Sequence, residues 1–125
     1  MNTGKQLLST NQLSASSLER IAAYFQVLSE PSRLRLLNCL CKGEASVSNL
    51  ADHTNLSIAN VSRHLALLAK SGMVKKEMRG NSAIYNITDN TLYQICHLVC
   101  NSISKTLADE AESHAHFIES NQKSQ

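Results

Sequence analysis

The fold is decided by residues 46–87, which read SVSNLADHTNLSIANVSRHLALLAKSGMVKKEMRGNSAIYNI. A short helix is predicted to begin near Ser46 and to end at Asn55, a residue type that favours turns. A longer helix is predicted from Ser57, whose hydroxyl can cap the first turn, to about Lys70. Two short helices joined by a tight turn indicate a helix-turn-helix.

The spacing of apolar residues changes after Ser71 and Gly72, which end the longer helix. Residues 74–78 and 83–87 are short strand-like segments on either side of a Gly-Asn turn, and they predict a β-hairpin. Arg79 lies near the tip of this hairpin. A basic hairpin after two short helices is the plan of a winged helix-turn-helix, in which the second helix of the pair can enter the major groove of DNA.

Three more helices are predicted around this segment. The first opens near Ser17, where Ser16 and Glu19 can form a capping box. The next has Pro31 in its first turn and ends at Gly43. A last, long helix opens at residue 88 or 89 and runs to about residue 117. The predicted order is α-α-α-α-β-β-α, and the fold class is mainly α with a small β-hairpin wing.

Length and charge narrow the function. The 125 residues have room for one compact domain, and neither a signal peptide nor a membrane span of about 20 apolar residues is recognisable. We therefore expect a cytoplasmic protein with no membrane partner. The net charge is only +2, but between Arg33 and Arg79 eight basic residues outnumber three acidic ones. A basic middle fits a domain that presents one face to a polyanion, although ordinary surface charge would give the same count.

Two other classes of protein were weighed against a DNA-binding one. An enzyme is not expected, because the sequence has no nucleophile elbow, phosphate-binding loop, His-Glu-x-x-His or Cys-x-x-Cys motif. A winged helix that binds only proteins would have an acidic or apolar recognition helix. The helix that begins at Ser57 is instead polar on its expected solvent side.

Small polar and basic side chains on that helix are the candidate DNA contacts: Ser57, Asn60, Ser62, Arg63 and His64. Because short side chains let a helix approach the bases closely, Arg63 can contact guanine and Asn60 can contact adenine. Ser57 can help the helix N-terminus to hold a phosphate, and Arg79 of the hairpin can reach a phosphate or the minor groove. For each residue taken alone, a solvated polar face is the alternative.

Residues 28–87 resemble the ArsR/SmtB family of arsenic- and zinc-responsive repressors. The shared motifs are Pro-x-Arg-Leu at the start of the second helix, Gly-Glu at its end, L-S-x-x-x-V-S-x-H-L in the fourth helix, and Arg-Gly in the wing. The resemblance covers roughly residues 18–103. It implies a winged-helix homodimer that leaves its double-stranded operator DNA when an inducer arrives.

In that family the first and last helices form the dimer interface. Both helices carry an apolar stripe suited to this, made of Leu18, Ile21 and Phe25 in the first and Leu92, Ile95 and Val99 in the last. We accordingly predict three parts: a disordered N-terminal arm over residues 1–14, a DNA-binding and dimerisation domain over residues 15–118, and a C-terminal tail over residues 119–125.

The metal sites of the family do not carry over. Its thiolate site has a cysteine where this chain has Ser46, and serine does not replace a soft thiolate ligand. Its zinc site on the last helix matches at Asp89, but the other ligand positions fall near Thr91, Ser102 and Lys105. The metal therefore stays unassigned. His114 and His116 do not share a helical face, so they are a weak metal signal.

Four cysteines remain, and they are expected to be reduced thiols: Cys39, Cys41, Cys96 and Cys100. Packing is the alternative role for each, and Cys41 is interpreted as a core residue because it shares a face with Leu34 and Leu37. Relatives that sense persulfide or oxidants pair a second-helix cysteine with one on the last helix. The second-helix cysteine here, Cys39, lies one position later than in those relatives, and the last-helix cysteines lie earlier. Cys96 is deeper in the apolar stripe, so Cys100 is the expected partner of Cys39 and Cys96 is a further candidate. A three-thiolate site for arsenite or another soft metal ion, built from the same three cysteines, is the alternative.

Overall fold

The computed structural model describes residues 12–123, with side chains up to residue 118, and the predicted disorder of residues 1–11 lies outside this range. The elements are α1 (Ala15–Leu28), α2 (Pro31–Leu40), β1 (Ala45–Ser46), α3 (Val47–Thr54), α4 (Ile58–Lys70), β2 (Val74–Arg79), β3 (Ser82–Ile87) and α5 (Asn90–Lys123). They belong to two compact units, divided between Thr88 and Asp89, and α5 alone makes up the described part of the second unit. The mainly α fold with a β-hairpin wing is confirmed.

Side chains that cap the first turn set where the helices begin. Ser57 caps α4, as predicted, by accepting a hydrogen bond from the Asn60 N–H at 3.1 Å. Pro31 occupies the first position of α2, also as predicted. For α1 the predicted capping residue Ser16 is wrong, because Ser14 accepts from the Ser17 N–H and the helix begins two residues earlier. Each such cap is worth about 1 kcal/mol.

Helix ends are marked by backbone conformations that suit particular residues. Asn55 adopts the left-handed conformation, with φ of 59°, and ends α3 as predicted. α2 ends at Leu40, before the predicted Gly43, because tighter hydrogen bonds follow from the Lys42 N–H to the Cys39 carbonyl and from the Gly43 N–H to the Leu40 carbonyl. The sequence from 90 to 123 has neither glycine nor proline to stop α5, which continues past the predicted end at residue 117.

The wing is a three-stranded antiparallel sheet in the order β1-β3-β2. β2 and β3 pair from Val74 with Ile87 to Arg79 with Ser82, so the predicted hairpin is confirmed. Gly80 in its turn has φ of 63°, a conformation that costs glycine little. The two-residue β1 pairs with β3 and was not predicted, and it attaches the hairpin to the start of α3.

One apolar core fixes the orientation of α4. Val61, Leu65 and Leu68 are fully buried on the inner side of α4, as the helical spacing predicts. Their neighbours in the core include buried side chains of the other elements: Leu36 and Leu40 of α2, Leu50 of α3, Met73 before β2, and Tyr85 of β3. With one side of α4 held in this way, its opposite side faces outward. No helix within residues 12–123 is long and apolar enough to cross a membrane.

Candidate nucleic-acid interface

The outer side of α4 carries most of the predicted DNA contacts. Ser57, Ser62 and Arg63 are exposed, and Asn60 is half-buried. The Ser57 hydroxyl is already used as the helix cap, so it reaches a phosphate only as a donor. The geometry therefore presents a polar ridge on a rigid helix, which is the form of a major-groove reading element.

Arg63 and Asn60 are linked in the protein itself. One Nη2–H of Arg63 donates a hydrogen bond to Oδ1 of Asn60, one turn earlier on α4. Residues three apart on a helix lie side by side, which explains the pair. The sequence predicts separate contacts from these two side chains to bases. The structure brings them together, so that any base contact involves them as a unit or breaks their bond.

The prediction that His64 lies on the solvent side of α4 is wrong. Its side chain is only 17% exposed, with Nε2 3.7 Å from a Glu30 carboxylate oxygen and Nδ1 3.5 Å from Nη1 of Arg33. Glu30 also caps α2 by accepting from the Ser32 N–H at 3.2 Å. The correction follows from helical spacing, since His64 comes three residues after the buried Val61 and four before the buried Leu68 on α4. His64 thus ties α4 to the start of α2.

Arg33 extends this tie to α1. Its Nε–H donates to the Val27 carbonyl at 2.6 Å and its Nη2–H donates to the Gln26 carbonyl at 3.3 Å. Carbonyls in the last turn of a helix lack partners within the helix, and a cation there is favourable. The side chain that the Pro-x-Arg-Leu motif supplies therefore stabilises the end of α1 and contacts the recognition helix at the same time.

Arg79 at the end of β2 is held by two carboxylates. Its Nη1 and Nη2 donate to the two oxygens of Glu44 at 2.5 and 2.9 Å, and Nη2 also donates to Glu77 at 3.0 Å. The hydrogen bond from Arg79 lowers the pKa of Glu44, and the hydrogen bonds to Glu44 and Glu77 raise the pKa of Arg79. Glu44 was missed by the sequence analysis. The Gly-Glu motif was its only signal, and no local pattern links it to the wing.

The four cysteines have different surroundings. Cys39 is half-buried in an open cleft of about 230 Å³ that Lys42, Glu44 and His53 also line. The interpretation of Cys41 as a core residue is wrong, because α2 ends at Leu40 and Cys41 is exposed.

The two cysteines of α5 also differ from each other. Cys96 is half-buried, and burial raises the pKa of its thiol, whereas Cys100 is exposed. Within residues 12–118, no three His, Cys, Asp or Glu side chains lie close enough together to hold a metal ion.

Exposed apolar stripes run along α1 and along α5. On α1, Leu18, Ile21 and Phe25 are all exposed, as the prediction of a dimer interface on this helix requires. On α5 the predicted stripe is graded, since Leu92 is buried, Ile95 is half-buried and Val99 is 50% exposed. The exposed part continues along the helix with Ile103 and Leu107. Apolar stripes of this extent are unusual on the surface of a monomer.

A buried inner face on α4, a polar outer face and a three-stranded wing define a DNA-binding domain of the winged helix-turn-helix class. The family model of bacterial regulatory proteins of the arsR type matches residues 30–76, which include α2, α3 and α4. Together with a relative that is 30% identical and described below, this match shows that the chain belongs to the arsR family of bacterial transcriptional regulators.

Three known proteins illustrate the similarity. A transcriptional repressor SmtB homolog of Synechocystis is 29% identical over 94 residues, which are 75% of this chain and 71% of that protein. An arsenical resistance operon repressor of Staphylococcus xylosus is 30% identical over 76 residues, or 61% and 73% of the two chains. The solution structure of a homodimeric winged helix-turn-helix DNA-binding domain from Mycobacterium bovis is 25% identical and covers 78% of this chain and 93% of that one, with a TM-score of 0.69.

Proposed function

We propose that this regulator is a cytoplasmic repressor, without catalytic activity, that binds operator DNA as a homodimer and is released by a thiol-reactive inducer. The observation that carries the first part is the outward polar ridge of α4, which stands on a fully buried apolar face. The inducer class is a persulfide or an oxidant. Its targets are Cys39 and Cys100, with Cys96 in a lesser role.

DNA reading is assigned to α4 and the wing. Arg63 and Asn60 contact base edges in the major groove, while Ser57 and Ser62 contact the sugar-phosphate backbone of the DNA beside α4. His64 supports these contacts indirectly, by holding α4 through its contacts with Glu30 and Arg33. Arg79 of the wing supplies a contact to a phosphate or to the minor groove.

A homodimer is supported by the exposed apolar stripes. Burying Leu18, Ile21 and Phe25 of α1 and Val99 of α5 against a second copy would remove apolar area from water, which is favourable by about 25 cal/mol per Å². The relative from Mycobacterium bovis is itself described as homodimeric. A two-fold dimer reads a palindromic operator with half-sites one helical turn of DNA apart.

Thiol sensing rests on the surroundings of the cysteines. Thiols stay reduced in the cytoplasm, so DNA binding is the resting state. Burial raises the pKa of the Cys96 thiol and shields it from reagents, whereas Cys100 is exposed, so Cys100 is the more accessible thiol of this pair.

Both inducers oxidise the Cys39 and Cys100 thiols by two electrons. A peroxide would take two electrons and two protons from Cys39 and Cys100 as their S–S bond forms, leaving water. A persulfide R–S–S–H would transfer its outer sulfur to the Cys39 thiolate and release R–S⁻. The Cys100 thiolate would then attack the inner sulfur of the Cys39 persulfide, forming the S–S bond and releasing HS⁻. A disulfide needs Cα atoms within about 7 Å, so it would hold α2 and α5 in a fixed arrangement. In a dimer this would change the distance between the two copies of α4 that contact DNA.

The test follows operator binding by gel retardation. Cys39→Ser and Cys100→Ser proteins are each treated with a persulfide and with a peroxide, and Cys41→Ser serves as a matched control with another exposed thiol altered. The parent and the control should lose operator affinity by 5- to 150-fold, which corresponds to a coupling of about 1–3 kcal/mol. Release of the Cys39→Ser and Cys100→Ser proteins to the same extent would overturn the sensing proposal and leave DNA binding intact.

The alternative inducer is arsenite or another soft metal ion held by Cys39, Cys96 and Cys100. These thiols do not form a ready-made ligand group within the described residues, so they would have to come together around the ion. The observation in its favour is the 30% identity to the arsenical resistance operon repressor. The two inducers are distinguished by Cys96. Arsenite release should fail in a Cys96→Ser protein, because a three-thiolate site loses a ligand, whereas release by persulfide should survive that change.

A further inference from the structure

The last helix extends well beyond the part of the chain that resembles the family. The resemblance ends at about residue 103, whereas α5 continues to Lys123. Every side chain from residue 97 to residue 118 is exposed, all the way around the helix. In proteins, most helical stability comes from packing an amphipathic face against another element. A partner that covered one face of this segment would therefore stabilise it.

One face of the exposed segment is largely apolar. Four side chains follow one another along it at steps of three or four residues, which places them side by side on the helix. We call them the distal stripe: Leu107, Ala111, His114 and Ile118. Leu107 is 59% exposed and Ile118 is 42% exposed. The opposite face is mostly polar, with Lys105, Glu112 and His116.

The distal stripe continues the stripe of α5 that was assigned to the dimer interface. Leu92 of that stripe lies 11 residues before Ile103, and His114 lies 11 residues after it. Eleven residues make about three turns of a helix, so the direction of the side chains changes by only about 20° over this distance. Apolar repeats of 11 residues are found where long helices pack side by side. The two stripes therefore share one face of α5, and one partner helix can cover both.

We propose that the distal stripe packs against α5 of a second copy of this chain and so extends the dimer interface beyond residue 103. This inference rests on the proposed homodimer. A second copy is the occupant because the distal stripe is continuous with the surface that the homodimer already uses. His114 lies in the middle of the distal stripe, and a polar residue at such a place fixes the register of paired helices at a cost in affinity.

The test compares two leucines on opposite faces of α5. Leu107→Ser removes a member of the distal stripe, whereas Leu98→Ser removes a leucine that is 67% exposed on the polar face. Sedimentation equilibrium of the full chain should give a dimer dissociation constant about tenfold higher, or more, for Leu107→Ser, because the dimer loses the buried leucine twice. Leu98→Ser makes the same chemical change and should shift the constant by less than about twofold.

A second pair of variants tests the distal stripe by a gain of affinity. His114→Leu replaces its polar member and should lower the dissociation constant by about fivefold, since a polar residue there costs affinity. His116→Leu adds the same side chain to the opposite face and should leave the constant unchanged. Damage to the fold would not tighten the dimer, so this gain is specific to packing against the second copy.

The outcomes separate the distal stripe from the dimer as a whole. Equal dissociation constants for Leu107→Ser and Leu98→Ser, or for His114→Leu and His116→Leu, would overturn the pairing of the distal stripe. Dissociation by Val99→Glu but not by Leu107→Ser would overturn only the extension and would support the homodimer. A parent protein that stays monomeric at every concentration would instead overturn the proposed homodimer.

Discussion

Replacing Arg33 by alanine should destabilise the protein far more than its position on a partly exposed helix face suggests. The change removes hydrogen bonds of 2.6 and 3.3 Å to the Val27 and Gln26 carbonyls in the last turn of α1, together with the 3.5 Å contact to His64. Hydrogen bonds from a charged donor are worth about 1.5–3 kcal/mol each when buried. Because Arg33 is half-buried and water can reach the Gln26 carbonyl, we expect about 2 kcal/mol in total.

The assay is urea unfolding followed by circular dichroism at a fixed protein concentration, since a dimer's stability depends on concentration. Arg35→Ala is the matched control, because Arg35 is exposed on the same helix and its loss should change the free energy of unfolding by less than about 0.5 kcal/mol. In the absence of urea, the Arg33→Ala protein should also bind operator DNA more weakly, because His64 on α4 loses its contact with the Arg33 guanidinium. Equal stabilities of the two variants would refute the reasoning.

Three further predictions concern the reading helix, the apolar stripe and the wing. Arg63→Ala should weaken operator binding by about 1–3 kcal/mol and random binding much less, and equal losses would mean a phosphate contact. Val99→Glu, which places a charge in the exposed stripe of α5, should yield monomers in sedimentation, whereas an unchanged dimer would contradict the assigned interface. Since Arg79 stabilises the charged form of Glu44, the pKa of Glu44 measured by NMR should lie below the ordinary 4.5 and should return towards 4.5 in the Arg79→Ala protein. An identical pKa of Glu44 in both proteins would argue against the ion pair.

Local signals in the sequence were enough for most of the helix-turn-helix. Ser57 and Asn55 act within a few residues of themselves, through a cap and a left-handed turn, so their roles can be predicted from residue type. The buried side of α4 follows from spacing alone. Ser14 and Ser16 are equally able to cap a helix, and the choice between them depends on where α1 packs, which no local pattern gives.

Features that depend on distant partners were beyond the sequence. Arg79 and Glu44 are 35 residues apart, and neither has a motif that names the other. The contacts of His64 with Glu30 and Arg33 also join separate helices, so a polar residue on a polar helix was placed on the solvent side. Cys41 was misjudged because α2 ends at Leu40 and not at the predicted Gly43, which leaves Cys41 outside the helix. In these cases tertiary structure decides the surroundings of a side chain.

The pairing of β1 with β3 joins residues that are far apart in the chain, whereas the hairpin joins near neighbours. The strand pairing of β2 with β3 joins residues that are close in sequence around Gly80, and such hairpins form in about 1–10 μs. Ala45 pairs with Tyr85 across a loop that contains α3 and α4, and closing so long a loop costs more entropy than closing the hairpin. Ser46 takes part in that pairing and also caps α3 through the Asn49 N–H. During synthesis, α3 and α4 leave the ribosome before β3 does. At that stage β1, which directly precedes α3, has no strand to pair with.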